Sequence, residues 1–190
     1  MPPRAKITKE MIVDTAFWIV RKEGASRMTA RSISEHLNCS TQPVLYYFST
    51  IEDIKKSVYI KADEYHTAYI SHIENDCTNP MLAIGMNYIK FALEEKYLFR
   101  FLFQSNEFSG RGMLELLEAE ELLPTFTLLQ KETHLSLEDA KTVFKTLFIF
   151  VHGYASLYAN NAMIYEASDV SKMLEKVFNS IVCTVKKEKA

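Results

Sequence analysis

The side chains best suited to chemistry crowd into one short stretch. Thr41, Gln42, Pro43, Tyr46 and Tyr47 fall between Ser40 and Phe48. Glutamine can bond bidentately to adenine, and threonine can bond a base edge or touch a thymine methyl. A tyrosine hydroxyl is long enough to reach a phosphate oxygen. This is the chemistry of reading rather than of bond making. The signatures of bond making are missing: the chain has no G-x-S-x-G, no glycine-rich phosphate loop, no H-E-x-x-H and no C-x-x-C. His36 and Cys39 share an H-x-x-C spacing, Asp63 and His66 share one helix face, and His72 precedes Cys77. None of these pairs supplies the four ligands of a structural metal site. The sequence predicts no enzyme, no metal and no cofactor.

Three short helices must hold the reading segment. Ile12, Ala16, Ile19 and Val20 stand at offsets 0, 4, 7 and 8, one face of a first helix. That helix ends at Gly24, where a left-handed residue is expected after a basic last turn. Thr29 is the expected N-cap of a second helix, which places Ile33 and Leu37 on one face. Asn38 tolerates a left-handed turn. Ser40 is then the expected cap of a third helix, with Pro43 in its first turn, where a missing N–H does little harm. Val44, Tyr47 and Phe48 can face the first two helices; Thr41, Gln42 and Tyr46 point elsewhere. Two short helices joined by a tight turn after a supporting helix make a helix-turn-helix. The second helix of that pair normally lies in the DNA major groove. The equally simple alternative is a capped surface helix with half-buried tyrosines.

Charge is divided in the matching sense. Residues 1–50 carry seven basic and four acidic residues, a net of +3, while the rest hold fifteen basic and twenty acidic, a net of −5. Arg4 and Lys6, in an N-terminal arm, and Thr29 and Arg31, at the start of the second helix, complete the expected DNA-binding set with Ser40, Thr41, Gln42, Pro43, Tyr46 and Tyr47. Glycine and proline are scarce, at five each in 190 residues, which favours helices over many-turned β structure. No apolar run approaches the roughly 18 residues needed to span a bilayer. Three widely spaced cysteines suit free thiols in a reducing compartment. A cytoplasmic protein without membrane contact is expected.

Beyond residue 50 the chain reads as helical throughout. Ser49 or Thr50 caps a lever helix, with Glu52 or Asp53 closing the box, and that helix is expected to run to about Asp76 with Tyr69 and Ile73 in its tail. Pro124 is expected to kink or break a later helix. Ser136 and Asp139 box the start of a long one. Val170, Leu174, Val177, Ile181 and Val185 line one face of the last. The expected fold is all-α, about nine helices, with a head at 1–50 and a body at 51–190.

The stretch TAFWIVRKEGASRMTARSISEHLNCSTQPVLYYFSTIEDI, Thr15 to Ile54, resembles the head of TetR-type transcriptional repressors. YLFRFLF (Tyr97 to Phe103) and FVHGYASLY (Phe150 to Tyr158) are similar, more loosely, to the C-terminal half of one branch. The resemblance implies a homodimer that binds a pseudo-palindromic operator in double-stranded DNA. It also implies that the last two helices pair with their twins in a four-helix bundle, and that a small-molecule effector in the body releases the DNA. Four positions depart from the pattern. Leu45 stands where tyrosine is common, Ser49 and Ile51 where basic residues are common, and Asn38 where glycine is usual.

The body is rich in Phe, Tyr and Met. His66, Tyr69, Met86, Phe91, Phe103, Met113, Phe126, Phe148 and His152 are the candidate ligand-binding residues, in a pocket between the lever helix and the 137–160 helix. Such residues line apolar pockets, and each also serves simply as core. Gly153, beside His152, is expected to permit close helix packing. The rival to a DNA-binding regulator is a helical adaptor for ligand or protein that retains an unused head.

Overall fold

The computed structural model describes residues 7–73, 79–105 and 122–188. Among them are nine α-helices and no strand, so the chain is all-α. The helices are α1 Lys9–Glu23, α2 Ala30–His36, α3 Gln42–Tyr47, α4 Ile51–Ile70, α5 Pro80–Glu94, α6 Lys96–Phe103, α7 Leu123–Thr133, α8 Leu137–Ala159 and α9 Ala167–Lys187. A single 3-10 turn, Ala25–Arg27, joins α1 to α2. The chain packs as two compact units, Met1–Ala68 with Glu95–Phe108 and Tyr69–Glu94 with Ser109–Ala190. The division at residue 50 stays an expectation about function; by packing, α6 and most of α4 go with α1–α3.

In the first unit the caps set the helix ends. The Thr29 hydroxyl accepts from the Ser32 amide at 3.0 Å, and the Ser32 hydroxyl accepts from the Thr29 amide at 3.0 Å, a reciprocal box. Thr50 and Asp53 make the same box before α4, at 3.2 Å each way. Asn38 is left-handed at φ 51°. Gly24 has the expected positive φ, 94°, but an extended ψ of 161°. Only glycine holds that region without strain. A Cβ there would also sit 3.2 Å from the Tyr97 ring.

Two expectations fail here. Ser40 does not cap α3. Thr41 holds the cap position, at φ −69° and ψ −15°, and makes no side-chain cap bond. A capping side chain needs extended backbone to reach back to the N2 or N3 amide; Thr41 is already helical, and its carbonyl takes the Leu45 amide at 3.0 Å. The lever helix stops at Ile70, short of Asp76, and Ile73 lies beyond it. The Asn87 amide donates to the Ile70 carbonyl at 3.2 Å and to the His72 carbonyl at 2.9 Å, so the chain end of α4 is satisfied without another helical turn.

Ile12, Ile19, Val20, Ile33, Val44, Ile54 and Val58 form the apolar centre of this unit. Beside it runs a polar network. Arg21 donates from Nε to both Glu95 oxygens, at 2.9 and 2.8 Å, and from Nη2 to Glu95 and to the Tyr65 hydroxyl at 3.0 Å. The Tyr65 hydroxyl donates in turn to Glu95 at 3.1 Å. Its ring packs edge-on against Phe17, at 5.7 Å between centroids.

In the second unit α5 packs on α8 and α9, and α7 packs on α8. A Cβ on Gly85 would come within 2.8 Å of Leu174, so this glycine lets α5 approach α9. That is the role expected of Gly153, where nothing lies within 4 Å of an added Cβ; Gly153 is on the exposed side of α8. Ser136 caps α8 by accepting from the Asp139 amide at 3.2 Å. Pro124 lies in the first turn of α7, so within the described residues it starts a helix instead of kinking one. Of the expected stripe, Val170, Leu174 and Val185 are buried and Val177 and Ile181 half-buried, so much of it is covered within the chain.

Candidate nucleic-acid interface

Helix α3 has six residues, and Val44 is the one it buries. Phe48, at its C-cap, is buried as well. These two side chains dock the helix on α1 and α2. Thr41, Gln42, Leu45 and Tyr46 are exposed, and Pro43 and Tyr47 are half-buried. Tyr46 is 82% exposed, and its ring meets that of Tyr47 edge-on at 5.1 Å. The Gln42–Tyr46 face therefore turns away from the core, as the spacing predicts. Ser40 and Thr29 are exposed too, but the Thr29 hydroxyl is engaged in the α2 cap. Arg31 is exposed, and its Nε donates to Glu35 at 2.9 Å. So open a pair contributes little and leaves the guanidinium able to exchange partners. Arg4 and Lys6 lie outside the described residues.

The cations of the head are not all equally available. Arg21 is held by Glu95, whose hydrogen bond is the main cause of its raised pKa. Lys9 lies over the Phe48 ring at 5.2 Å. Lys22 and Arg27 are exposed. At the start of α4, Lys55 sits 3.0 Å from Glu52.

A shallow surface pocket of about 310 Å³ is lined by Asp14, Thr15, Trp18 and His36. The Trp18 and His36 rings are 5.2 Å apart. None of the residues expected to bind a ligand lines this pocket.

Those residues fall into different units. His66 and Phe103 belong to the first, where their rings meet edge-on at 5.0 Å. Burial lowers the His66 pKa to about 4, so the ring is neutral at pH 7. Tyr69, Met86, Phe91, Phe126, Phe148 and His152 belong to the second unit. Met113 lies outside the described residues. Phe91 and Phe126 are fully buried and act as core. Tyr69 packs on Phe91 at 5.3 Å, and its hydroxyl donates to Glu94 at 2.6 Å. Phe148 and His152 stand one turn apart on α8 with their rings stacked at 5.6 Å.

Sequence reasoning missed the partner of His152. The Tyr88 hydroxyl lies 2.9 Å from His152 Nδ1. Burial raises the phenol pKa and lowers that of the imidazole. Both groups are therefore neutral at pH 7, and the tautomer of the imidazole sets which of them donates. Phe144 extends this aromatic row to Phe126, at 6.3 Å from Phe148 and 5.4 Å from Phe126. Tyr88 is 64 residues from His152, and no local spacing joins them. The row is an aromatic surface that carries one polar pair, Tyr88 and His152.

Among the described residues, no group of three or more His, Cys, Asp or Glu could hold a metal ion. No helix among them is long and apolar enough to cross a membrane. No model of a known protein family and no curated protein matches this chain.

Proposed function

We propose that this chain is a TetR-like DNA-binding transcriptional regulator, a repressor that leaves its operator when a small apolar or aromatic ligand binds the body. The observation that carries the reading is the two-faced α3. Val44 and Phe48 anchor it, while Thr41, Gln42 and Tyr46 are presented to solvent on a six-residue helix set on α1 and α2. That is the arrangement by which a helix-turn-helix enters a major groove. Dimerisation through the last two helices draws support from a second apolar row. Ile149, Gly153 and Leu157 follow one another at four-residue intervals on α8, with Ile149 55% and Leu157 44% exposed. Met173 on α9 is 43% exposed. A two-fold pairing of these helices would cover the row and present two heads to two half-sites.

A ligand can release DNA only if it binds one arrangement of the protein better than the other. A coupling of about 1–3 kcal/mol corresponds to a 5- to 150-fold change in operator affinity. The Tyr88–His152 pair and the Phe144–Phe148 rings are the groups we assign to the effector.

The test is selection of bound DNA from a random-sequence pool by the full chain, followed by affinity measurements across salt. A palindrome with a steep salt slope is expected, because phosphate contacts release counterions. Gln42→Ala should relax preference at one base pair per half-site, by about 1–3 kcal/mol of discrimination. Failure to select any sequence would reject the reading. The second reading, a helical adaptor with an unused head, draws on the pairing of Arg31 with Glu35 and Lys55 with Glu52, and on Ser49 and Ile51 at the entry to α4. It expects weak DNA binding of no fixed sequence.

A further inference from the structure

We propose that Leu45 reads the C5-methyl group of a thymine in each half-site. The inference rests on the reading that α3 enters the major groove, and it names what that helix selects there. Leu45 is 57% exposed on a helix that buries only Val44. Gln42, Leu45 and Tyr46 stand at i, i+3 and i+4, so they share the outer face of α3. Leu45 is thus an apolar patch between an amide and a phenol. It has no polar atom, so it cannot hold a phosphate or bond a base edge. The thymine methyl is the apolar group that the base edges offer in the major groove. A groove-bound α3 would leave Leu45 against polar edges unless that methyl lay opposite it.

The geometry also says where the thymine lies. Gln42 and Leu45 are three residues apart, about 4.5 Å along the helix axis. The rise between base pairs is about 3.4 Å. The two side chains are therefore separated by little more than one base-pair step, so the thymine touched by Leu45 lies within about one step of the base addressed by Gln42. Tyr46, 82% exposed on the same face, is long enough to reach the adjoining backbone. At the position where the resemblance leads one to expect a phenol, this chain exchanges a hydrogen bond for a methyl contact.

The test uses the duplex that the full chain selects from a random-sequence pool. Each thymine in turn is replaced by deoxyuridine, which lacks the methyl and keeps every hydrogen-bonding group. Binding is measured at fixed salt for the natural chain and for Leu45→Ala. Burial of one methyl-sized group predicts a loss of about 3- to 5-fold at one thymine position per half-site. Replacing that thymine in both half-sites of a dimer's site should cost about 10- to 25-fold. Leu45→Ala should bind the natural duplex more weakly and lose the distinction between thymine and deoxyuridine. A selected site that the natural chain binds equally with thymine or deoxyuridine at every position overturns the inference and leaves the proposed function standing. Full discrimination retained by Leu45→Ala does the same. Failure to select any sequence overturns the proposed function, and this inference with it.

Discussion

Glu95→Gln is the sharpest perturbation of the first unit. The substitution keeps the size and shape of the side chain and removes its charge. In the native chain Glu95 accepts from Arg21 Nε and Nη2 and from the Tyr65 hydroxyl. Its side chain is 9% exposed and that of Arg21 is 31% exposed. Stranding one charge of a buried pair costs about 3–5 kcal/mol. The partial exposure of Arg21 lets water take back some of that, so the expected loss is about 2–3 kcal/mol. Tyr65→Phe keeps the ring on Phe17 and removes one hydroxyl, a loss of about 1 kcal/mol. The paired replacement Arg21→Met with Glu95→Leu should fall within about 1 kcal/mol of the natural chain, because hydrophobic replacement of a buried pair removes its desolvation cost as well as its attraction. Urea unfolding followed by the fluorescence of Trp18 measures all three. It is the one tryptophan of the chain and lies on α1, so it reports on this unit. A Glu95→Gln chain within about 0.5 kcal/mol of the natural one, the range of ordinary surface substitutions, would refute the argument. So would a paired replacement that costs as much as the single one.

Three further outcomes follow from the same structure. His66 has a folded-state pKa of about 4, below its ordinary 6.5, so the unfolded chain binds more protons between those values; stability is full above about pH 6.5 and falls as pH drops toward 4. The loss from pH 7 to 5.5 should be about 1 kcal/mol, and His66→Leu should flatten that slope in urea midpoints read by Trp18; an unchanged slope assigns it elsewhere. Gly24→Ala should cost about 1–3 kcal/mol, from backbone strain at φ 94° and contact with Tyr97, and Tyr97→Ala should relieve only the contact; full rescue would show that the backbone is not strained. For the proposed dimer, Leu157→Lys should lower the mass measured by light scattering to that of a monomer while leaving helical content unchanged, since Leu157 is exposed within the chain; a natural chain that is itself monomeric rejects the proposed pairing, and a variant that remains dimeric moves the interface off α8.

Much of the first unit was legible because its signals are local. Thr29, Asn38 and Gly24 each mark a helix end through their own backbone preference, and each appears where it was expected; of the two caps open for α4, Ser49 and Thr50, the structure takes Thr50. The inward placement of Val44 and Phe48 follows from helical period alone. Ser40 misled because α3 takes its first backbone bond at the Thr41 carbonyl, and Pro43, three residues after Ser40, has no amide proton for a capping side chain to accept. The end of α4 was misplaced for a related reason. Nothing between Ile70 and Ile73 breaks a helix by propensity, and the stop comes from Asn87, distant in sequence.

The body shows the same division. Of the ligand-binding candidates, Phe91 and Phe126 turned out to be core, and composition could not separate them from Phe148, since burial is decided by what packs above a side chain. Gly85 and Gly153 are equally plain glycines in apolar helices, yet only Gly85 has a neighbour, Leu174, that needs the missing Cβ. The sequence by itself determined the all-helical class, the starts of α2, α4 and α8 and the outward face of α3, because caps and the 3.6-residue period act within a few residues. Tertiary structure alone decided that Arg21 belongs to Glu95 and Tyr65, that Tyr88 belongs to His152, and which glycine lets two helices meet. Those pairings join residues 30 to 89 positions apart, and only the packed chain brings such groups within bonding distance.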